Sequence, residues 1–257
     1  MGVPEHEAGW LQLIRGGMPT LWGRLADGSG GSVLKDDGIL ASIVPSSPDR
    51  SVFNSVFYKQ GERLIAALDR IAAAYEEAGV RAWTVWVPET ERDTAAALEE
   101  AGHVLDAEPR AMAMILSELK APEPDPAIEI RAELDMPEVA RLNEIAYGWA
   151  PGEFGAVADT PIPDTYAYFA SLEGETVGTA VVWDHGDNSD LNWVATLPEA
   201  RGMGVSKQLT ARALADARER GQVTTTLVAT KLGRPVYDRV GYRDFGAIQM
   251  WERRKPA

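Results

Sequence analysis

The sequence contains no cysteine and only three histidines among its 257 residues. Without cysteine there can be no disulfide, thiolate metal site or cysteine nucleophile. The histidines are far apart in the sequence and no two have the helical spacing of a metal pair, so we predict no metal site. No run approaches the roughly 18 apolar residues of a membrane helix, and the first residues lack the basic and apolar regions of a secretion signal. We therefore expect a soluble cytoplasmic protein with no membrane partner.

Positive charge is also scarce, because 39 acidic residues face 25 lysines and arginines and give a net charge of −14. Such a chain repels nucleic acids over most of its surface, so we predict no nucleic-acid partner. The local group of Arg201, Lys207 and Arg212 stands out against this background as a place for an anion. An apolar content of 45% supports a full globular core.

A proline-rich stretch divides the chain. Prolines alternate with small or charged residues from Lys120 to Ala127, which is typical of an extended linker. We predict one domain over residues 1–120, a linker over residues 121–127 and a second domain over residues 128–257.

The second half holds the most informative motif. An apolar strand, Val194-Ala195-Thr196, leads into the turn Arg201-Gly202-Met203-Gly204, and the turn opens a helix that continues through Lys207 and Leu209. The first N–H groups of a helix have no partner inside it, and the helix dipole adds positive charge at the same point. This pattern predicts a site for a phosphate or pyrophosphate. About thirty residues later comes Val236-Tyr237-Asp238-Arg239-Val240-Gly241-Tyr242.

These two motifs in this order resemble the GNAT family, the GCN5-related N-acetyltransferases. The family signature Arg/Gln-x-x-Gly-x-Gly/Ala corresponds to Arg201–Ser206, with Ser206 as a small departure at the last position. The resemblance covers residues 128 to 254. It implies an α+β fold of two tandem GNAT-like domains, each a mixed, mostly antiparallel sheet flanked by helices, with acetyl-CoA as the cofactor.

The first half of the sequence has segments that correspond to those of the second half in the same order, which indicates a tandem duplication. Leu98-Glu99-Glu100-Ala101-Gly102-His103 corresponds to the stretch from Tyr237 to Tyr242, and Tyr58-Lys59-Gln60-Gly61 stands where the second half has Arg201–Gly204. The first half therefore lacks both the glycine turn and the tyrosine. We predict a degenerate domain without a cofactor site, with Ala111–Leu116 as its closing strand. Gln249–Glu252 is predicted to close the sheet of the second half.

The resemblance also implies roles for particular residues. Tyr237 would be the general acid, because a phenol with a pKa near 10 is protonated at neutral pH and can protonate a thiolate. Glu153, in a turn-rich aromatic loop, would face the acceptor amine, while Asp184, His185 and Asp190 are other possible bases, and a water chain is a further alternative. The cofactor would contact Val194, Ala195, Thr196, Arg201, Gly202, Met203, Gly204, Val205, Ser206, Lys207 and Thr230.

We therefore predict an N-acetyltransferase that moves an acetyl group from acetyl-CoA directly to an amine, either a small molecule or a peptide. The alternative is a non-catalytic protein that binds or senses acyl-CoA. The sequence leaves open the acceptor, the general base, the length of the acyl chain, the oligomeric state and the role of the first domain.

Overall fold

The computed structural model describes residues 3–158 and 160–255. In this part of the chain the helices are α1 Glu7–Gly28, α2 Gly61–Glu77, α3 Arg92–Glu100, α4 Met136–Tyr147, α5 Gly155–Ala158, α6 Val205–Glu219 and α7 Arg234–Val240. The strands are β1 Ser32–Asp36, β2 Ile39–Ile43, β3 Ser55–Tyr58, β4 Ala82–Pro88, β5 Val104–Ala107, β6 Arg110–Ile115, β7 Glu129–Ala132, β8 Thr165–Leu172, β9 Glu175–His185, β10 Asn188–Thr196, β11 Thr224–Ala229 and β12 Arg243–Arg254. This mixture of helices and mostly antiparallel strands confirms the predicted α+β class.

The described residues form two compact units. Unit 1 consists of the residues up to Ile14 together with Arg110–Phe154 and Ile162–Phe245. Unit 2 consists of Arg15–Pro109, Gly155–Pro161 and the residues from Gly246 onwards.

The sheet of unit 1 has the strand order β6-β11-β10-β9-β8-β7. All neighbours are antiparallel except β10 and β11, which run parallel. This parallel step requires a crossover connection, and α6 supplies it. The core of the unit includes Leu209, Ala213, Leu214 and Ala217 of α6, packed among apolar residues of the strands.

A glycine on β9 lets α6 approach the sheet closely. A Cβ at Gly178 would lie 2.8 Å from Cγ1 of Val205 and 3.0 Å from the carbonyl oxygen of Ala195. A larger residue would therefore push the first turn of α6 away from the strands. Gly178 thus helps to hold the N-terminus of α6 at the end of β10.

The sheet of unit 2 repeats this arrangement. Strands β1, β2 and β3 form an antiparallel meander, β4 runs parallel to β3, and α2 makes the crossover. Next to β4 lies β12, which pairs with it from Ile248–Pro88 to Arg254–Ala82, and β5 pairs with the other side of β12. The internal repeat inferred from the sequence is thus visible in the strand order.

The two strands that were predicted to complete the sheets, β6 and β12, have other pairing partners than predicted. Strand β6 comes from the first half of the sequence, yet it pairs with β11 in unit 1, from Ile115–Thr224 to Arg110–Ala229. Strand β12 comes from the end of the chain, yet its residues 248–254 pair with β4 in unit 2. Alternation along the chain identifies a strand but carries no information about its partner, since pairing is set by tertiary packing. The structural units therefore differ from the predicted ranges 1–120 and 128–257.

The proline-rich stretch lies within unit 1. The backbone N–H of Lys120 donates to the carbonyl of Val240 at 2.9 Å, and the side-chain amide of Gln208 donates to the carbonyl of Glu123 at 2.7 Å. These bonds hold an extended segment against α6 and the end of α7, so the segment is fixed along its length instead of acting as a loose tether.

Helix α1 was not predicted, although Trp10, Ile14, Leu21 and Leu25 recur at helical spacing and are buried. The glycine-rich connection after α1 forms a tight turn. A Cβ at Gly31 would lie 2.1 Å from the carbonyl oxygen of Ile43, so only glycine fits there.

Candidate functional site

The turn before α6 has the geometry of an anion site. Gly202 and Gly204 have φ angles of +82° and +84°, a region that residues with a Cβ rarely adopt. Chain neighbours apart, no atom of the described residues lies within 4 Å of the place where a Cβ would stand at either glycine. Nor does any described side chain cap the N-terminus of α6. The first N–H groups of α6 therefore lie beside an open turn at the positive end of the helix dipole.

Strand β10 leaves β11 just before this turn. Within the described residues, their parallel pairing covers only Asn188–Asp190 opposite Thr224–Thr226, although β10 continues to Thr196 and β11 to Ala229. The sheet therefore opens between the C-terminal halves of the two strands. An extended molecule can use the exposed backbone edge of β10 in this opening, in the same way as a peptide adds a strand to a sheet.

A β-bulge lies at the mouth of the opening. The register of β10 against β9 shifts between Asn192 and Ala195. Inside the bulge Trp193 has φ +48°, which costs of order 1–3 kcal/mol for a residue other than glycine. Such strain persists only where the surrounding structure imposes it, and it is typical of functional sites.

The Arg201 guanidinium contacts backbone carbonyls. Its Nη2 donates to the carbonyl of Ala146 at 2.7 Å, and its Nε lies 3.4 Å from the carbonyl oxygen of Thr196. Arg201 thus joins the C-terminal end of α4 to the end of β10. Its predicted contact with the cofactor remains a prediction.

The other predicted cofactor residues are distributed around the same turn. Val205 is buried, Ser206 and Lys207 are half-buried in the first turn of α6, and Met203 is 56% exposed. The hydroxyls of Ser206 and Thr196 share a hydrogen bond of 2.7 Å, which ties the end of β10 to α6. Ala195 is buried, while Val194 and Thr196 are half-buried.

Thr230 organises the loop before α7. Its hydroxyl accepts a hydrogen bond from the backbone N–H of Gly233 at 3.1 Å. The residue is exposed at the end of β11. A role in cofactor binding stays a prediction for Thr230 as well.

Tyr237 lies on α7 and is 9% exposed. Burial raises the pKa of its phenol well above the usual value, and the nearby phenol of Tyr147 raises it further. The group is therefore protonated throughout the neutral range, as a proton donor must be. Its ring makes an edge-to-face contact with Tyr242, whose hydroxyl shares a 2.7 Å hydrogen bond with Thr225.

The predicted bases are in different surroundings. One carboxylate oxygen of Glu153 accepts a 2.7 Å hydrogen bond from the N–H of Ala150 and closes the turn of its own loop. Asp184 forms an ion pair with Arg220 at 2.8 Å and also accepts a hydrogen bond from Ser189. The ion pair with Arg220 thus explains the presence of Asp184 by a role in stabilising the fold.

His185 and Asp190 form a pair, with Nε2 of the ring 2.9 Å from Oδ2 of the carboxylate. The other carboxylate oxygen accepts hydrogen bonds from Asn188 at 3.1 Å and from the hydroxyl of Thr226. The side-chain nitrogen of Asn188 also lies 3.2 Å from Nε2 of the ring, so the carboxylate, the amide and the imidazole form one network.

A row of aromatic rings joins the end of α4 to the bulge. The centroid distances are 5.7 Å between Tyr147 and Trp149, 5.6 Å between Trp149 and Phe154, and 6.4 Å between Phe154 and Trp193. Trp183 lies elsewhere and stacks on His185. Trp149, Phe154 and Trp193 thus come together with Tyr147, which the sequence did not single out.

Two polar residues of α4 were also missed. Glu144 is buried and accepts a 2.8 Å hydrogen bond from the N–H of Phe154, and Asn143 is buried beside the bulge. Asn143 lies on the helix face that buries Val139 and Leu142, while Glu144 follows one turn after the buried Ala140. A polar residue in an apolar stripe was the signal that could have identified Asn143.

Comparison with known proteins supports the resemblance. Residues 163–244 match the sequence model described as acetyltransferase (GNAT) domain. No curated protein matches the sequence. The chain carries a GNAT domain.

Several solved structures share the fold. A GCN5-related N-acetyltransferase from Kribbella flavida has a TM-score of 0.68 at 19% identity, with 95% of each chain covered. One from Sphaerobacter thermophilus has a TM-score of 0.64 at 16% identity over 96% of this chain and 94% of that one. A tandem GNAT protein from the clavulanic acid biosynthesis pathway has a TM-score of 0.59 at 12% identity over 85% and 79% of the two chains. At these identities the likeness shows the fold, including a tandem arrangement.

The site fits a coenzyme A thioester in three respects. The open glycine turn suits a pyrophosphate, the exposed edge of β10 suits the pantetheine amides, and a buried phenol lies on the neighbouring α7. In the part of the chain described, no three metal-ligating side chains come together. No helix within it is long and apolar enough to cross a membrane.

Proposed function

We propose that this chain is an N-acetyltransferase that moves the acetyl group of acetyl-CoA directly to an amine. The observation that carries the proposal is the open glycine turn at the N-terminus of α6, placed where β10 diverges from β11. An anion cradle and an exposed strand edge, side by side, are the two requirements for holding a nucleotide with an extended amide arm.

The binding roles follow from the backbone. The N–H groups of Gly202–Ser206 would hold the pyrophosphate, with Lys207 as a nearby cation. The backbone of Val194–Thr196 would pair with the pantetheine arm. A backbone N–H fixed in this strand would face the thioester oxygen and stabilise the negative charge that develops on it.

In the reaction the nitrogen of the amine forms a bond to the thioester carbon, and the carbon–sulfur bond breaks. Tyr237 would give its phenolic proton to the departing thiolate and later recover one from solvent. The amine must lose a proton before or during the attack. With no cysteine in the chain, we expect no thioester-linked enzyme intermediate.

Two groups could accept the proton of the amine. Glu153 lies in the loop that carries the aromatic row, and the ring of His185 is held by Asp190. Glu153→Gln and His185→Gln would distinguish them, because replacing the true base should shift or remove the acidic limb of the kcat/KM profile.

The acceptor class is an amine on a small molecule or a peptide. The net charge of −14 favours a cationic acceptor over an anionic one.

Calorimetry with coenzyme A and a thiol-release assay with acetyl-CoA and propionyl-CoA over a panel of amines would test the proposal. We expect binding and release that depends on the amine. Binding without release for any amine would instead support the alternative, a non-catalytic protein that binds acyl-CoA. No binding at millimolar coenzyme A would exclude both.

A further inference from the structure

The bulge in β10 depends on one side chain of α4. Asn143 is fully buried, at 0% exposure, and its Nδ2 donates to the carbonyl of Val139 at 2.8 Å. The same Nδ2 lies 3.4 Å from the carbonyl oxygen of Trp193. Asn143 is therefore held by its own helix while it contacts the strained residue of the bulge.

The other end of this amide is unsatisfied. Among the described residues, Oδ1 of Asn143 has no hydrogen-bond partner although it is buried. An apolar residue of similar size would avoid the cost of burying an unpaired oxygen. A buried polar group left partly unpaired calls for an explanation other than stability, and the contact with Trp193 offers one.

The contact fixes the orientation of a peptide group. In a planar trans peptide the carbonyl of one residue and the N–H of the next point in opposite directions. The described residues contain no cis peptide bond, so the carbonyl of Trp193 directed at Asn143 turns the N–H of Val194 away from α4. The side chain of Asn143 thus determines where this N–H points.

We propose that Asn143 is a positioning residue that holds the Trp193–Val194 peptide so that the N–H of Val194 can stabilise the oxyanion of the reacting thioester. The inference rests on the proposed acetyltransferase function. As negative charge develops opposite the N–H, the carbonyl of the same peptide becomes a stronger acceptor, and the Asn143 amide is the donor that meets it. Long hydrogen bonds in a ligand-free site often tighten in the transition state, which agrees with the 3.4 Å contact.

Asn143→Leu tests this role, because it removes the donor while nearly keeping the volume. We expect kcat to fall about tenfold to a hundredfold, less than or similar to the loss of a direct oxyanion donor. We expect the Kd for coenzyme A to be unchanged, and Asn143→Leu to be as stable as the native protein or more stable. The amide resonance of Val194 should shift in the ligand-free Asn143→Leu protein.

Thr210→Val is the matched control. Thr210 is also fully buried in unit 1, and its hydroxyl has no partner among the described residues, but it lies on α6 away from the bulge. This variant should keep both kcat and the Val194 resonance.

The outcomes separate the two proposals. If the native protein releases thiol and a folded Asn143 variant keeps the native kcat or the native Val194 resonance, the positioning role is refuted. If the native protein binds coenzyme A and releases no thiol with any amine, it is the acetyltransferase function that fails. Equal losses of kcat in Thr210→Val would show a general effect of core substitution and would also refute the role of Asn143.

Discussion

In unit 1 the turn before α6 is open, and in unit 2 the corresponding turn before α2 is closed. Gly202 and Gly204 have positive φ angles, and in the described part of the chain no atom beyond their chain neighbours lies within 4 Å of the place where a Cβ would stand at either residue. In unit 2, α2 begins at Gly61 after an extended Gln60, and a Cβ at Gly61 would lie 2.3 Å from the hydroxyl oxygen of Thr94. The helix end that could bind an anion in one unit is covered by a side chain in the other.

Within the described residues the backbone pairing before these turns is short in both units, and the units differ in the side chains between the two strands. In unit 2 the indole N–H of Trp86 on β4 donates to the hydroxyl of Ser55 on β3 at 2.9 Å, and Phe57 stacks on Trp86. The hydroxyl of Tyr58 donates to Glu91 at 2.7 Å. Side chains therefore link β3 and β4 where β10 and β11 of unit 1 diverge. A binding site in this fold therefore depends on whether the gap between the two parallel strands stays empty as well as on the residues that line it.

The helices after the parallel strands end alike but carry different chemistry. The N–H of Tyr242 donates to the carbonyl of Tyr237 at 3.1 Å, and the N–H of His103 donates to the carbonyl of Leu98 at 2.9 Å. The backbone repeat is thus maintained. Leu98 has no proton to give, so only unit 1 has a phenol at this position.

The largest effect should come from Tyr237→Phe. Loss of the proton donor should lower kcat by roughly 10²–10⁴-fold and leave the Kd for coenzyme A unchanged, as measured by thiol release and calorimetry. Tyr242→Phe is the control, since it removes only the hydrogen bond to Thr225. It should cost about 1 kcal/mol of stability and leave kcat unchanged. Native turnover in Tyr237→Phe would exclude the assigned acid.

A pair of glycine variants tests the turn before α6, with Gly102 after α3 as the control matched in φ and in free space. Gly204→Ala and Gly102→Ala place a Cβ at φ +84° and +86°, each in open space, so both should lose a similar stability of about 1–2 kcal/mol. Only Gly204→Ala should weaken coenzyme A binding, by about 1.4–2.8 kcal/mol or 10- to 100-fold in Kd. Equal affinities of the two variants would place the cofactor elsewhere.

His103 in unit 2 should give a smaller, pH-dependent effect. It is 2% exposed, and burial lowers the pKa of its ring to about 4, with Arg253 contributing and the hydrogen bond to Leu98 opposing the shift. Below pH 6.5 the unfolded chain binds a proton that the folded chain does not. Above pH 6.5 this group therefore has no effect on the free energy of unfolding. As the pH falls from 6.5 towards 4, it lowers that free energy.

Urea unfolding at two pH values measures this effect. Between pH 7.5 and pH 5 the native protein should lose about 2 kcal/mol through His103. In His103→Phe, which keeps an aromatic ring against Trp83, that part of the pH dependence should disappear. An unchanged difference between the two pH values would show that the ring is not buried in its neutral form.

The sequence determined the elements that depend on local patterns. The helix cap at Asp135, which accepts a hydrogen bond from the N–H of Glu138, follows from a short motif, as does the turn of Gly202 and Gly204. Helical and alternating apolar spacing likewise predicted α2, α6, β4 and β11. The internal repeat could be recognised in the sequence for the same reason, since both halves keep the order of these elements.

Only the tertiary structure decided which strands pair, where the sheet opens and which polar groups meet. Strands β6 and β12 carry ordinary alternation, and nothing in their local sequence indicates that β6 pairs with β11 or that the end of β12 pairs with β4. Arg201 reaches Ala146, and Asn143 reaches Trp193, 50 residues away in sequence. Such contacts depend on how α4 packs against β10, and no residue spacing encodes that packing, because it is the product of the whole core.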